Sequence, residues 1–315
     1  MKSVYSIIVT YNGVKWIDAC LKSLLNSRYP TQIIVVDNGS TDTTIPYIKS
    51  NFKQVHLIET GKNLGFGQAN NWGIGEALKN NADYIFLLNQ DAWVEANTLE
   101  SLIRVQESNP EYGIVSPIHL NGAGNAVDAY FLEYLAKSEI KDYLSKSILN
   151  NTNHASVIET SFVNAAGWLL SRECIKKIGG FDPIFFHYGE DRNYTQRVTY
   201  HGFKIAIDAG SRLFHDREIR IAEPSSDLTS QFKKDWINEL NYFCDIHRKN
   251  YQLFIFKRVL KYFGLLTINF VVNNRNKSEY YLKMLKNIAG FLKQIPESRK
   301  ASSSTQLSSP LYIRV

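Results

Sequence analysis

Gln32-Ile33-Ile34-Val35-Val36-Asp37-Asn38-Gly39-Ser40-Thr41-Asp42 is the stretch that decides the fold. Its first half is a short Val/Ile-rich run, the composition of a buried strand. The run stops at Asp37, and Asn38-Gly39-Ser40 is turn chemistry. Thr41-Asp42 can then cap a helix over Thr43–Asn51. The same order of strand, polar end and helix recurs on both sides. Upstream, Val4–Thr10 reads as a strand and Ile17–Leu25 as a helix, with apolar residues at 17, 20, 21, 24 and 25. Downstream come strands at Val55–Glu59 and Tyr84–Asn89, with helical patterns over Gly65–Asn80 and Asn97–Glu107. Repeated strand–helix alternation predicts a mostly parallel α/β sheet with helices on both faces.

Ligands of such sheets bind outside the carboxyl ends of the strands. Three polar clusters fall there: Thr10-Tyr11-Asn12, Asp37-Asn38-Gly39-Ser40 and Asn89-Gln90-Asp91. They are expected to converge on one crevice. Residues 117–160 are less periodic, with loop signals at Asn121-Gly122-Ala123-Gly124-Asn125 and Asn150-Asn151-Thr152-Asn153. Ser161–Leu170 reads as a strand, Arg172–Ile178 and Glu190–His201 as helices, and Lys204–Asp208 as a buried edge of the sheet. From Thr229 to Leu292 the pattern is helical. Ser298–Ser309 is Ser-rich and reads as disordered. The expected division is a sheet domain over 1–222, a basic helical region over 223–297 and a disordered tail over 298–315.

Composition narrows the function classes. The 315 residues are 44% apolar and 21% charged, which excludes wholesale disorder. Cys20, Cys174 and Cys244 are odd in number and far apart, so a disulfide scaffold or a Cys-based zinc site is not expected, and a reduced cytoplasmic setting is. Met1-Lys2-Ser3 runs straight into a strand, without the pattern of a signal peptide. The most apolar late stretch, Tyr262–Val272, is too short to span a bilayer and contains Asn269. The formal net charge is +6, unevenly placed: Asp245 to Lys300 holds twelve Lys or Arg against three Asp or Glu. Such a segment fits either a solvated helical face or an anionic partner surface. Lys257, Arg258 and Lys261 alternate with Phe254, Phe256, Leu260 and Phe263, as on a peripheral membrane helix; the competing reading is a cap that packs on the sheet domain or forms a homodimer. No nucleic-acid-binding motif accompanies the charge, so nucleic acid is not an expected partner.

Several residues can carry chemistry, and each has a plainer reading beside it. Asp91 ends an apolar strand and can hold Mg2+ or Mn2+ with phosphate oxygens, or simply cap a helix. Glu190-Asp191 follows an aromatic stretch and a glycine. One of two adjacent carboxyls in such a setting can act as a general base, while an acidic first helical turn is the ordinary alternative. His215 follows Arg212-Leu213-Phe214 and can contact a metal or phosphate, or be structural. Asn63-Leu64-Gly65-Phe66-Gly67 allows close backbone approach to a ligand. It is not the dinucleotide fingerprint, and no P-loop pattern occurs.

Together these segments resemble family 2 glycosyltransferases of the GT-A (Rossmann-like) fold. The matching pieces are Ser6-Ile7-Ile8-Val9-Thr10-Tyr11-Asn12, Val35-Val36-Asp37-Asn38-Gly39-Ser40-Thr41-Asp42, Asn63 through Gly73, Leu87-Leu88-Asn89-Gln90-Asp91 and Gly189-Glu190-Asp191. They stand in the family's order over about residues 3–216, and look most like bacterial rhamnosyltransferases that build surface polysaccharide. The resemblance implies an inverting transfer of a sugar from a UDP- or dTDP-type donor to a hydroxyl of a glycan or lipid-linked acceptor. It places the enzyme in the cytoplasm or at the inner membrane face. It assigns Thr10 and Tyr11 to the border of the base, Asp37 to a base N–H, and Asn71 to the helix behind the nucleotide. Asp91 matches the last acid of a D-x-D metal motif and His215 a downstream histidine near metal and diphosphate. Asp191 matches the catalytic base and Glu190 its neighbour. Trp168 aligns near the sugar and acceptor, where it either stacks on a sugar ring or fills the core. Two departures stand out: the metal motif reads Asn89-Gln90-Asp91, and Asn70 replaces a basic residue seen in relatives. A catalytically silent scaffold and a sugar nucleotidyltransferase are the rival readings.

Overall fold

The computed structural model of the chain describes residues 1–135, 157–217, 228–304 and 311–313. The loop signal at Asn150–Asn153 lies outside them. The chain divides into two compact units, Met1–Glu218 with Thr305–Val315, and Ile219–Ser304.

In the first unit, β1 (Val4–Thr10), α1 (Ile17–Leu25), β2 (Gln32–Asp37), α2 (Thr44–Asn51), β3 (His56–Glu59), α3 (Phe66–Lys79) and β4 (Tyr84–Asn89) alternate as the periodicity predicts. They are followed by β5 (Ala92–Val94), α4 (Thr98–Ser108), β6 (Tyr112–Asn121), α5 (Ala129–Leu135), β7 (Val157–Thr160), β8 (Gly167–Ser171), α6 (Arg172–Ile178), α7 (Glu190–Tyr200) and β9 (Lys204–His215). The sheet order is β3-β2-β1-β4-β8-β6-β9-β5, with β7 also on β9. β3, β2, β1 and β4 run parallel. Beyond them the sheet is mixed: β8 is antiparallel to both β4 and β6, and β6 is parallel to β9. The expected mostly parallel sheet therefore describes only the first half.

Period-two alternation builds a core on each face. Ile7, Ile34 and Val36 point to one side, where Ala69, Ile74 and Ala77 of α3 cover them. Ile8, Ile33 and Val35 point to the other, against Ile17, Cys20 and Leu21 of α1 and Leu99 and Leu102 of α4. Three strands differ from the sequence reading. The strand read over Ser161–Leu170 is confined to Gly167–Ser171, and residues 161–166 lie outside it. β6 is not among the strands that the sequence pattern predicts: it runs up to the loop signal at Asn121, and Gly113 and Pro117 break its apolar pattern at the two places where its pairing with β9 shifts register. β9 continues past Asp208 to His215, and so delivers His215 to the sheet's edge with Asp91.

Trp168 does not line a sugar pocket. It sits on β8 opposite Leu87, fully buried, with its ring 6.1 Å from Phe181 and 5.7 Å from Tyr194. The neighbouring apolar positions of β8 leave no open face for a sugar, so Trp168 fills the core.

The second unit holds α8 (Leu228–Cys244), α9 (Tyr251–Val271), α10 (Arg275–Phe291) and α11 (Gln294–Ser303). Its interior contains Leu240, Phe243, Ile255, Met284 and Ile288. Glu239, nearly buried, is neutralised by Arg258 Nε at 2.9 Å and accepts Tyr262 Oη–H at 2.6 Å. The tail expected to be disordered from 298 is ordered where described. Arg299 donates to the carbonyls of Phe243, Asp245 and Arg248, which fixes α11. Leu311–Ile313 belong to the first unit. Gly180 N–H donates to the Leu311 carbonyl at 2.7 Å, and Tyr312 Oη–H to Asp182 Oδ2 at 3.1 Å.

The buried ring of Trp168 makes a stability prediction. Trp168→Ala should lower unfolding free energy by about 3–5 kcal/mol in urea titration. A variant with unchanged stability but a raised substrate KM would return the residue to the sugar pocket.

Candidate active site

The site grows from the ends of the parallel strands. β1 and β2 stop side by side, with Thr10 in register with Asp37. Asp37 Oδ2 accepts the backbone N–H groups of Gly39 at 3.1 Å and Ser40 at 3.0 Å, closing an Asx turn. Gly39 is required there. Its φ is +85°, and a Cβ would lie 2.8 Å from the Lys62 backbone. Asp37 is 1% exposed, and its other oxygen, Oδ1, is buried with no partner. A buried acceptor without a donor costs free energy, so this oxygen is an open valence for a ligand N–H.

Asn38 ties this turn to the next loop. Its Oδ1 accepts the Leu64 N–H at 2.7 Å, and its Nδ2 donates to Asn63 Oδ1 at 3.1 Å. Gly65 then lets the chain enter α3 against the loop before α7: a Cβ at Gly65 would fall 2.0 Å from the Phe186 carbonyl oxygen. Asn71, expected behind the nucleotide, is buried and spends its amide inside the fold. Its Nδ2 donates to the Phe181 carbonyl at 2.8 Å and its Oδ1 accepts the Phe181 N–H at 2.7 Å. Both polar atoms of Asn71 are thus engaged by the Phe181 backbone, which staples the loop that leads to Glu190.

Gln90 was quoted within the third cluster but carried no expected role. Its Oε1 accepts Thr10 Oγ1–H at 2.7 Å and Tyr11 N–H at 3.0 Å, so the middle residue of Asn89-Gln90-Asp91 clamps the end of β1. Tyr11, 45% exposed, is thereby held with its ring in solvent at the mouth of the strands. Asp91 Oδ1 lies 3.3 Å from His215 Nε2, with the imidazole buried and the carboxylate partly open. Behind the ring, Arg217 Nε is 3.2 Å from His215 Nδ1 and 3.1 Å from Asp128 Oδ2. Arg217 and Asp128 were missed by the sequence reading. A basic residue two positions after the histidine was the available signal for Arg217; nothing local marks Asp128.

Among the described residues no group of three His, Cys, Asp or Glu gathers around one point. The donors present are one Asp91 carboxylate, the His215 imidazole and the buried Asn89 Oδ1, which has no partner. Such a set fits a small divalent cation that takes the rest of its shell from phosphate oxygens and water. As placed, Arg217 donates to Nδ1, which puts the ring proton on Nε2, facing Asp91. Ligation through Nε2 needs the other tautomer, with Arg217 keeping its bond to Asp128.

Glu190 and Asp191 open α7 behind Gly189, whose φ is +91°. A carboxylate pair is favoured at a helix N-terminus, yet the two differ. Glu190 is buried, with Oε2 unpartnered, and burial first, then the Asp191 charge, pushes its pKa up to about 8. Asp191 is half-buried. Burial raises its pKa, opposed by the Arg192 N–H bond at 2.7 Å and the charges of Arg192 and Arg217. At neutral pH Glu190 is therefore mainly protonated, and Asp191 is the more accessible carboxyl of the pair. Around the strand ends, the Asp37 turn, the Asn63–Gly65 loop, the loop before Glu190 and the Asp91–His215 pair form one chain of contacts. Two expected site residues stand apart: Trp168 is in the core, and Asn71 is bonded to the Phe181 backbone.

The description Glycosyl transferase family 2 matches residues 5–179 of the chain. The chain is 23% identical over 285 residues to the dTDP-rhamnosyl transferase RfbF of Shigella flexneri, covering 89% of this chain and 92% of that one. It is 24% identical to the N-acetylglucosaminyl-diphospho-decaprenol L-rhamnosyltransferase of Mycobacterium tuberculosis, over 73% of this chain and 82% of the relative. Among solved structures, S. aureus TarS 1-349 superposes with a TM-score of 0.51 at 15% identity, covering 93% of this chain and 92% of that one. A longer TarS chain is covered over 40% of its length. At that identity the superposition establishes the GT-A fold.

Glu190 generates a pH prediction. Its folded pKa of about 8 lies above the ordinary 4.5. Below 4.5 the carboxyl is protonated in both states. Between the two values the folded protein holds a proton that the unfolded chain has lost, so stability falls as pH rises, by at most about 1.4 kcal/mol per pH unit. Glu190→Gln should flatten that slope in unfolding curves taken from pH 5 to 8. An unchanged slope would mean Glu190 is not the group responsible.

Proposed function

The chain belongs to glycosyl transferase family 2, and from that premise we propose that it transfers a deoxyhexose, with inversion, from a dTDP- or UDP-type sugar to a hydroxyl of a glycan or lipid-linked acceptor in surface polysaccharide synthesis. The observation that carries the reading is the free Asp37 Oδ1 at the end of β2. Thymine and uracil both present a ring N–H, and an ionised carboxylate only accepts. Tyr11 lies beside it with its ring exposed, suited to border the base. The dTDP-rhamnosyl and decaprenol-linked activities named for the two relatives support the choice of donor and acceptor classes.

The reaction follows from the division between the two acids. Asp191, the more exposed of the two, takes the proton of the acceptor hydroxyl. The freed oxygen forms a bond to the anomeric carbon from the face opposite the diphosphate, and the bond from that carbon to the phosphate oxygen breaks. Glu190, neutral, adds no second negative charge beside the base. Asp91 and His215 are the groups that would hold Mg2+ or Mn2+, whose positive charge would offset that growing on the leaving diphosphate. Gln90 keeps Thr10 and Tyr11 in place for the base without entering the chemistry.

A screen of NDP release across dTDP-, UDP- and GDP-sugars tests the reading, with the largest rate expected for a dTDP-deoxyhexose. Asp191→Asn should leave donor affinity intact and lower kcat by about 10²–10⁴-fold. Transfer near the wild-type rate would remove Asp191 as the base. EDTA should suppress NDP release and Mn2+ restore it; full activity in EDTA would remove the cation from the mechanism.

A further inference from the structure

α9 is amphipathic in an unusual sense: both of its faces are apolar. One face, with Ile255 and Tyr262, is buried within the helical unit, and Arg258 beside it is turned inward onto Glu239. The opposite face carries Leu253, Phe256, Leu260, Phe263, Phe270 and Val271, each between 53% and 77% exposed. At 100° per residue these six fall within one stripe running the full five turns and more of the helix. Scattered exposed apolar residues need no explanation, but six in one sector, interrupted by exposed Thr267 between Phe263 and Phe270, do.

The charge around the stripe says what covers it. From Ile246 to Ser278 the chain has no Asp or Glu and seven Lys or Arg. Lys257 is exposed on the flank of the stripe; Lys261, also exposed, lies further round, at a cleft it lines with Asp235 and Glu239, and among the described residues no carboxylate forms an ion pair with either lysine. Arg275 and Lys277 stand exposed just past the helix end. A second copy of the chain would bring the same cationic rim against this one, with no acid on the facing helix to neutralise it. An anionic bilayer surface answers both features at once: its acyl boundary accepts the aromatic stripe, and its head groups pair with the lysines. The helix would lie along the surface. Among the described residues no helix is long and apolar enough to cross a membrane.

We propose that the outer face of α9 is a peripheral docking surface for anionic phospholipid. The inference does not rest on the reading of donor or acceptor, since it uses only the helical unit. Its test is flotation of the full chain with phosphatidylcholine vesicles, with and without phosphatidylglycerol, at low and high salt. The wild type should float with the anionic vesicles at low salt and much less with phosphatidylcholine alone. Phe256→Ser/Phe263→Ser should cut the bound fraction about tenfold or more, and Lys257→Glu/Lys261→Glu should abolish the salt-sensitive part. Because these side chains are exposed, far-UV circular dichroism and thermal unfolding should match wild type, and NDP release from donor alone reports separately on the catalytic unit. No flotation of the wild type, or equal flotation of wild type and the Phe pair, overturns the proposal. A dimer in sedimentation equilibrium that the Phe pair dissociates, without any vesicle binding, assigns the stripe to a second copy instead.

Discussion

Asp37 Oδ2 accepts two backbone N–H groups from its own turn, and the geometry of the site depends on those bonds. Parallel strands end together, so their last carbonyls and the first amides of each loop need partners that the sheet cannot supply. Here short polar side chains supply them. Asp37 closes the β2 turn, Asn38 reaches the Asn63–Leu64 loop, and Gln90 clamps the end of β1. One carboxylate oxygen is used to build the turn and its twin is left over. A replacement that kept the charge but lengthened the side chain would have to lose one function to keep the other.

The second acid cluster shows how position on one helix separates two chemically similar groups. Glu190 and Asp191 are adjacent at the start of α7, yet only the first is sealed from water. Desolvation acts most strongly on the more buried group, and its neighbour's charge adds to the effect. Burial raises the Asp191 pKa as well, and there Arg192 and Arg217 oppose the rise. The loop that sets this contrast is fixed by Asn71 through the Phe181 backbone and by the close approach of Gly65 to Phe186. A residue expected at the nucleotide thus serves the Glu190–Asp191 pair by holding its loop.

The helical unit satisfies its buried charges internally. Glu239 takes Arg258 and Tyr262, and Asp235 takes Tyr280 at 2.5 Å. Among the described residues, no acid forms an ion pair with Lys257 or Lys261 of α9. A solvated helix face would interleave charges of both signs with few aromatics, so the combination seen here points away from simple solubility.

Much of this was legible in the sequence because it is local. Strand and helix periods, the Asn-Gly-Ser turn after Asp37 and the acidic start of α7 follow from neighbours a few residues apart, and local sterics and capping act at that range. Residues that bond across the chain were not legible. Trp168 has the same composition signal whether it stacks on a sugar or fills a core, and only the arrival of Phe181 and Tyr194 decides it. Asn71 looked free until Phe181 was brought beside it, 110 residues on. Gln90 found its partners 79 and 80 residues back, and the tail was fixed by Arg299 bonds back to Phe243 and Asp245. Sequence alone determined which segments form strands and helices and which polar groups stand at their ends; tertiary structure decided which of those groups are spent on one another and which remain free, because burial and partnership are set by contacts that no local pattern encodes.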